Sequence, residues 1–376
     1  MNKDSLINKI SSLYLHFPYC IHLCNYCDFY KNKLEDENQI KQFEELLTLQ
    51  WHEHKRLLSN HKMSFGGLET LYFGGGTPSL WSLSGIDFIK KKLFKDISLA
   101  NDYEFTLEVD PGTITEKELN KWLELGVNRF SVGVQAYNNK MLEVLDRRHR
   151  LNEIESCLKM LQSYDLNFSV DLLIGAPKSS DRNIVTELSS LDDLGASHFS
   201  VYILNARANY PLKKYLATDE KIQSEYLSVA NFLKSKGYEH YEVSNFAKNQ
   251  KYSKHNLRYW KYNSVSAVGP NATGLFAFKD RALRFQWKSL SAGYKTEEIL
   301  GESLLIEKLY MNLRYHGGHK PSELFSDTSA FEQLFNKWKN AGYLSDKAHM
   351  GHIILSSEGY LMCDSLMDDI FKEVEF

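Results

Sequence analysis

Six short runs rich in β-branched and aromatic residues recur through the first half of the chain, at 13–17, 69–73, 104–109, 129–134, 168–174 and 198–204. Each closes on a turn or on a chemically distinctive residue, which predicts strands. Between them the apolar positions take helical spacing. Phe43, Leu46, Leu47 and Trp51 lie on one such stretch over 35–58, and 83–97, 115–125, 138–145, 152–164 and 181–194 continue the series. Strand alternating with helix implies βαβ units and a parallel sheet, either open and doubly wound or closing into an incomplete barrel. In both, ligands gather at the carboxyl ends of the strands. The unusual residues fall there. Three cysteines follow the first run, Gly74–Gly75–Gly76 the second, and Glu108 and Asp110 end the third. Gln135 ends the fourth, Asp171 lies within the fifth, and Tyr202 stands near the end of the sixth.

Beyond about residue 205 the regularity fades. A helix is expected over 210–235, then a loop rich in Asn, Lys and aromatics to about 277. Further helices are expected at 303–313, 322–325 and 328–341, a short hairpin at 343–355, and an amphipathic stretch at 359–374 with Leu366, Ile370 and Val374 on one face. The implied organisation is an α/β core over 1–205, a connecting segment over 206–290 and a smaller, mostly helical, winged-helix-like domain over 291–376.

The 376 residues suit about two or three domains. A net charge of −3 excludes a nucleic-acid binder that works by bulk positive charge. No apolar stretch is long enough to span a membrane. The opening MNKDSLINKI carries no secretion signal, so the cytoplasm is the expected compartment.

The five cysteines are unevenly placed, three of them in Cys20-x-x-x-Cys24-x-x-Cys27. Three thiolates on one loop can hold three corners of an iron–sulfur cubane and leave one iron open. The alternative is a zinc site completed by His16 or His22. Spacing favours the cluster, because zinc sites usually come as two CxxC-type knuckles and only one stands here.

The stretch Tyr14-Leu-His16-Phe-Pro18-Tyr-Cys20-x-x-x-Cys24-x-Tyr26-Cys27-Asp-Phe29 resembles the radical S-adenosylmethionine (SAM) superfamily. Within it, the chain resembles the HemN/HemW branch of oxygen-independent coproporphyrinogen III oxidases and heme chaperones. Phe73-Gly74-Gly75-Gly76-Thr77-Pro78-Ser79, Glu108-Val-Asp-Pro, Ser131-Val-Gly-Val-Gln135 and Val170-Asp171-Leu-Leu-Ile-Gly175 follow in the family's order. The resemblance implies an incomplete (β/α)6 barrel with Cys20, Cys24 and Cys27 holding a 4Fe-4S cluster and SAM on its open iron. It implies that Gly75, Gly76 and Thr77 line the methionine end of SAM and that Tyr14 reaches its carboxylate. Glu108, Gln135, Arg147 and Asp171 would meet the remaining polar atoms, with Arg148 beside Arg147 as the other candidate. Tyr26 and Phe29 would shield the cluster. The residues agree with this in kind, since a glycine turn lets backbone come close to a ligand and supplies N–H donors.

Two positions separate the branches. The oxidase carries a further cysteine where this chain has Phe29, and a longer segment before the cluster. The run His255-Asn256-Leu257-Arg258-Tyr259-Trp260 matches the HNxxYW signature of the HemW-like chaperones. A histidine beside two aromatics suits heme, and Lys248, Lys251, Lys254, Arg258 and Lys261 suit its propionates. The chain departs from the family at Thr273, where a histidine is expected, and after Leu204. The resemblance favours a heme chaperone without coproporphyrinogen oxidase activity, which passes heme to respiratory apoproteins. The other reading is a radical-SAM oxidoreductase acting on a porphyrinogen. A homodimer is left open.

Overall fold

The computed structural model describes residues 8–81 and 83–374, and the leading segment searched for a secretion signal lies partly outside the described residues. All six expected strands form: β1 (Asn8–Phe17), β2 (Met63–Gly75), β3 (Ser98–Val109), β4 (Arg129–Gln135), β5 (Asn167–Ile174) and β6 (His198–Ile203). They lie side by side in chain order and every neighbouring pair is parallel. The crossovers carry α1 (Glu37–Asn60), α2 (Leu83–Phe88), α3 (Glu116–Leu125), α4 (Asn139–Val144), α5 (Leu151–Ser163) and α6 (Ile184–Asp193). Reciprocal caps start two of them, Asp36 with Gln39 and Thr115 with Glu118.

The strands alternate, and the alternation makes the site. Leu13, Leu15 and Phe17 on β1, Leu71 and Phe73 on β2, Phe105 and Leu107 on β3, Phe130 and Val132 on β4, Val170 and Leu172 on β5, and Phe199 and Val201 on β6 are buried in one continuous core. The residues between them point the other way. They are Tyr14 and His16, Thr70 and Tyr72, Glu104 and Glu108, Arg129 and Ser131, Ser169 and Asp171, and His198 and Ser200. A buried Phe or Leu contributes roughly 1.5–3 kcal/mol. The apolar row therefore holds the helices on, and the polar row lines the barrel interior.

The sheet does not stop at residue 205. β7 (Glu239–Glu242) and β8 (Asn245–Ala247) extend it antiparallel beyond β6, and β9 (Ser266–Val268) pairs parallel with β1 at the opposite edge. The stretch expected to be loop also holds α8 (Lys254–Trp260), which carries the His255–Trp260 run. A separate antiparallel sheet follows, of β10 (Thr273–Ala277), β11 (Arg281–Trp287) and β12 (Tyr294–Leu300). Its Phe276, Leu283, Phe285 and Trp287 pack against Ile10, Leu57, Leu58 and Met63. Strands of three to seven residues carry too little periodicity to stand out in such a polar segment.

Other expectations shift at their edges. The helix expected over 210–235 is α7 (Asp219–Ser235), which begins only after a 3-10 turn at Lys213–Tyr215. The stretch 83–97 divides into α2 and the π-helical Ile89–Leu93. The stretch 322–325 is a 3-10 turn, Pro321–Glu323. Helices Gly301–Asn312, Ser329–Asn340, Ser357–Leu361 and Cys363–Glu373 gather around a core of their own that includes Trp338, Leu366 and Ile370. The hairpin over 343–355 is present as the bridges Leu344–Leu355 and His349–His352. Among the described residues no helix is long and apolar enough to cross a membrane.

Candidate functional site

β1 ends at Phe17 and leads directly into the cysteine loop. Cys20 is held on a two-residue ladder, Tyr19–Cys20 against Asn32–Lys33, and the Cys27 N–H donates to Cys24 O at 3.3 Å. All three cysteines are half-buried, whereas Cys157 and Cys363 are buried elsewhere.

The glycine turn at the end of β2 is bolted to this loop. The Gly76 N–H donates to Phe17 O at 2.7 Å and the Thr77 N–H to Tyr19 O at 2.8 Å. The Thr77 hydroxyl lies 3.5 Å from Cys20 Sγ. A Cβ on Gly76 would stand 2.4 Å from Tyr19 O, and Gly75 combines a φ of +112° with a Cβ position 2.5 Å from the His16 ring. These glycines exist because two loops meet there. The Gly75 N–H donates to Glu108 Oε2 at 2.9 Å. The three N–H groups are thus spent within the protein, and the turn is a close backbone approach rather than the cradle of free donors that its composition suggests.

Deeper in the barrel, the Tyr72 hydroxyl donates to Glu108 Oε1 at 2.8 Å. Burial pushes Glu108 up to about 7 and the nearby Asp171 adds to this, against the bonds from Tyr72 and Gly75. Asp171 accepts from Ser131 Oγ at 3.1 and 2.9 Å. Burial raises it to about 6, against the bonds from Ser131 and Ser200. Tyr14 reaches His16 Nδ1 at 3.1 Å and is held protonated by burial and by Glu108. Two carboxyls that titrate near neutrality on one wall are the mark of a site prepared for a polar ligand.

Arg147 closes the other side. Its Nη1 is 3.6 Å from Cys24 Sγ, its Nη2 donates to Gly133 O at 3.1 Å, and it forms an ion pair with Asp110. His149 flanks the pair, 3.3 Å from Asp110 Oδ1. Burial would raise Asp110, but Arg147 and His149 bring it down to about 2. Arg148 is exposed, so of the two neighbours Arg147 faces inward. Gln135 sits at a φ of +68°, with its side chain 3.1 Å from where a Gly133 Cβ would stand. Tyr26 is buried beside Arg147, and Phe29 is 70% exposed instead of covering the cysteines. Asp110 stands at the ligand end of the third strand, as the sequence predicts, without its pairing to Arg147 being foreseen; His149 escaped the sequence reading.

Iron–sulfur and zinc readings can now be compared. The two histidines available to zinc are engaged. His16 holds Tyr14 with Nδ1 and lies 2.8 Å from Tyr30 O with Nε2, and His22 Nε2 faces Asp146 Oδ1 at 3.0 Å. Among the described residues no three Cys, His, Asp or Glu side chains are arranged to hold a single metal ion. Burial pushes the Cys20 thiol up to about 11, and Cys24 is raised too, so thiolates here call for a bound positive centre. The donor set fits a cluster held at three corners, beside a turn and a polar wall that fit a zwitterion.

His255 is placed apart from the loop. It is 2% exposed, with Nδ1 2.9 Å from Thr70 Oγ1 and Nε2 3.4 Å from the Tyr259 hydroxyl. Of the cations around it, Lys248 pairs with Asp192, Lys254 with Asp102 and Arg258 with Glu69.

Residues 14–191 match the Radical SAM superfamily. The heme chaperone HemW of Buchnera aphidicola (subsp. Schizaphis graminum) is 30% identical over 70% of this chain and 69% of its own length. A radical S-adenosyl methionine domain-containing protein 1, mitochondrial, of Danio rerio is 31% identical over 97% of this chain and 88% of its own. Among solved structures, the coproporphyrinogen III oxidase HemN of Escherichia coli superposes with a TM-score of 0.80, covering 97% of this chain and 91% of the other at 17% identity. That likeness speaks for the fold alone.

Proposed function

The chain belongs to the HemW family of radical SAM proteins, and on that premise we propose that it is a heme chaperone that holds a 4Fe-4S cluster and SAM and passes heme to apoproteins. The observation that carries the cofactor reading is the seam between the cysteine loop and the glycine turn, where Thr77 touches Cys20 and Arg147 touches Cys24. Cys20, Cys24 and Cys27 would hold the cluster. Tyr14, Gly75, Gly76, Thr77, Glu108, Gln135, Arg147 and Asp171 line the space a zwitterionic nucleoside needs. When bound, the pair supplies one-electron chemistry or a ligand-sensing centre. The chain's own residues orient it: Arg147 spreads positive charge between Cys24 and Asp110, and Tyr72 and Gly75 aim Glu108.

Support for heme as cargo comes from the barrel mouth. Ile21, Leu23 and Phe29 on the cysteine loop and Tyr202 and Ile203 at the end of β6 are 41–70% exposed. The ion pair Asp28–Arg207 ties the two segments together. A flat apolar macrocycle matches such an exposed apolar rim. Free cysteines on an open loop fit a reducing compartment, the cytoplasm. The receiving apoproteins would be respiratory.

Anaerobic reconstitution followed by separate addition of hemin and coproporphyrinogen III tests the reading. Bound hemin without decarboxylated product is expected. Product formation at a catalytic rate would favour the oxidoreductase, and a colourless protein with zinc in place of iron would sink both.

A further inference from the structure

We propose that His255 is a positioning residue for the ligand wall, acting through Tyr72 on Glu108, and that the run it belongs to is the floor of the barrel rather than a heme contact. The proposal rests on Glu108 being part of the SAM site.

Three observations place α8 under the strands. The backbone N–H groups of Lys254 and His255 donate to the two carboxylate oxygens of Glu104, each at 3.0 Å. The Lys254 ammonium pairs with Asp102, and Arg258 pairs with Glu69. Asp102 and Glu104 lie upstream of Val109, the ligand end of β3, and Glu69 lies upstream of the ligand end of β2. The helix is therefore anchored at the end of the barrel away from the cysteine loop.

From that floor the His255 ring rises into the interior. It stacks on Tyr72 at 5.1 Å between centroids and 30° between planes, and lies 6.4 Å from the Tyr14 ring. Thr70 fixes one ring nitrogen and Tyr259 lies within reach of the other. Burial keeps the ring neutral, its pKa lowered to about 3. An iron ligand needs a free nitrogen facing an open space. This imidazole is instead a spacer, flat and partnered on its edges, set behind a tyrosine. Tyr72 in turn donates to Glu108, whose second oxygen holds the Gly75 N–H. Shrinking His255 opens a void into which Tyr72 can tilt, and the carboxylate then loses one donor.

The charge environment makes the effect measurable. Glu108 faces Tyr72 from β2, Tyr14 from β1, Asp171 from β5 and Tyr202 from β6. Of these, the Tyr72 hydrogen bond favours the carboxylate, so its loss moves the Glu108 titration upward.

The test uses the whole chain with its cluster reconstituted. SAM binding is followed by equilibrium dialysis from pH 6 to 9, and hemin binding by absorbance, for wild type, His255→Ala, Thr70→Val and Tyr72→Phe. His255→Ala should weaken SAM binding about tenfold, the effect of one charge-assisted hydrogen bond. It should move the midpoint of the pH dependence upward, as Tyr72→Phe should too, and leave hemin binding unchanged. Thr70→Val, which removes only the Nδ1 partner, should show the same direction and covers the case in which the alanine variant fails to fold. Unchanged SAM affinity and pH midpoint in His255→Ala, or loss of hemin binding with SAM binding intact, overturns the proposal. A wild type that keeps its cluster and binds no SAM removes the reading of Glu108, and the proposal falls with it.

Discussion

The guanidinium of Arg147 lies 3.6 Å from the sulfur of Cys24, although 123 residues separate the two in sequence. The contact joins the segment between α4 and α5 to the cysteine loop, and Asp110 just past the end of β3 fixes it from behind. Arg147→Ala leaves Asp110 without its cation in a half-buried place. It should lower SAM affinity about tenfold, on the scale of one charge-assisted hydrogen bond, and slow cluster reconstitution. Arg148→Ala, at an exposed position, should behave as wild type. Dialysis with SAM and the cluster absorbance distinguish the two variants.

Cys24→Ala should abolish the iron–sulfur absorbance, because two thiolates on one loop leave half of a cubane unheld. Cys157→Ala, at a buried helical position, should leave it intact. Iron and sulfide analysis of anaerobically purified protein decides this, and normal iron in Cys24→Ala would refute the ligand assignment.

Gly76→Ala tests the seam. The new methyl carbon would stand 2.4 Å from the Tyr19 carbonyl, which is backbone and cannot yield cheaply. The expected result is a loss of about 1–3 kcal/mol in unfolding free energy, with poorer cluster retention. Denaturant titration of the cluster-free protein reads the first and absorbance after reconstitution the second.

Glu108 gives the apo protein a pH signature. Its folded pKa, about 7, lies above its ordinary value. The folded state thus binds the proton more tightly than the unfolded chain, and the stability this gives is present at acid pH and lost as pH rises through 7. Glu108 is only half-buried, so the effect should be about 1–2 kcal/mol rather than the full shift. In Glu108→Gln the unfolding midpoint should vary less between pH 5 and 8. An equally steep dependence in that variant would contradict the assignment.

The apolar rim predicts cargo handling separately from cofactor binding. Phe29→Ser together with Leu23→Ser should weaken hemin binding about tenfold, since burying two such side chains is worth roughly 1.5–3 kcal/mol each at most. Cluster content and SAM affinity should stay as in wild type. Unaltered hemin binding would move the cargo site elsewhere.

Much of this protein is legible along the chain. The six strands, the helices between them, the cysteine spacing and the glycine turn all depend on neighbours within a few residues, where side-chain type and period carry the physics. The polar rows of the barrel were also there to be read: Ser131 against Phe130 and Val132, or Asp171 against Val170 and Leu172, shows a period of two that reports an inward polar face. Other features are decided only by folding. Whether Arg147 or Arg148 turns inward depends on Asp110 and Cys24, each brought to the spot by a different strand. The short strands β8 and β9 gain their partners from the sheet edges at β6 and β1, and β9 lies about 250 residues from its partner in sequence. His255 carries the same chemistry in any setting, and only the packing of α8 beneath β2 and β3 puts Thr70, Tyr72 and Tyr259 around it. Local sequence sets which chemical groups exist and how the nearby chain bends. Long-range packing sets which of them are dehydrated together, and that determines what they can bind.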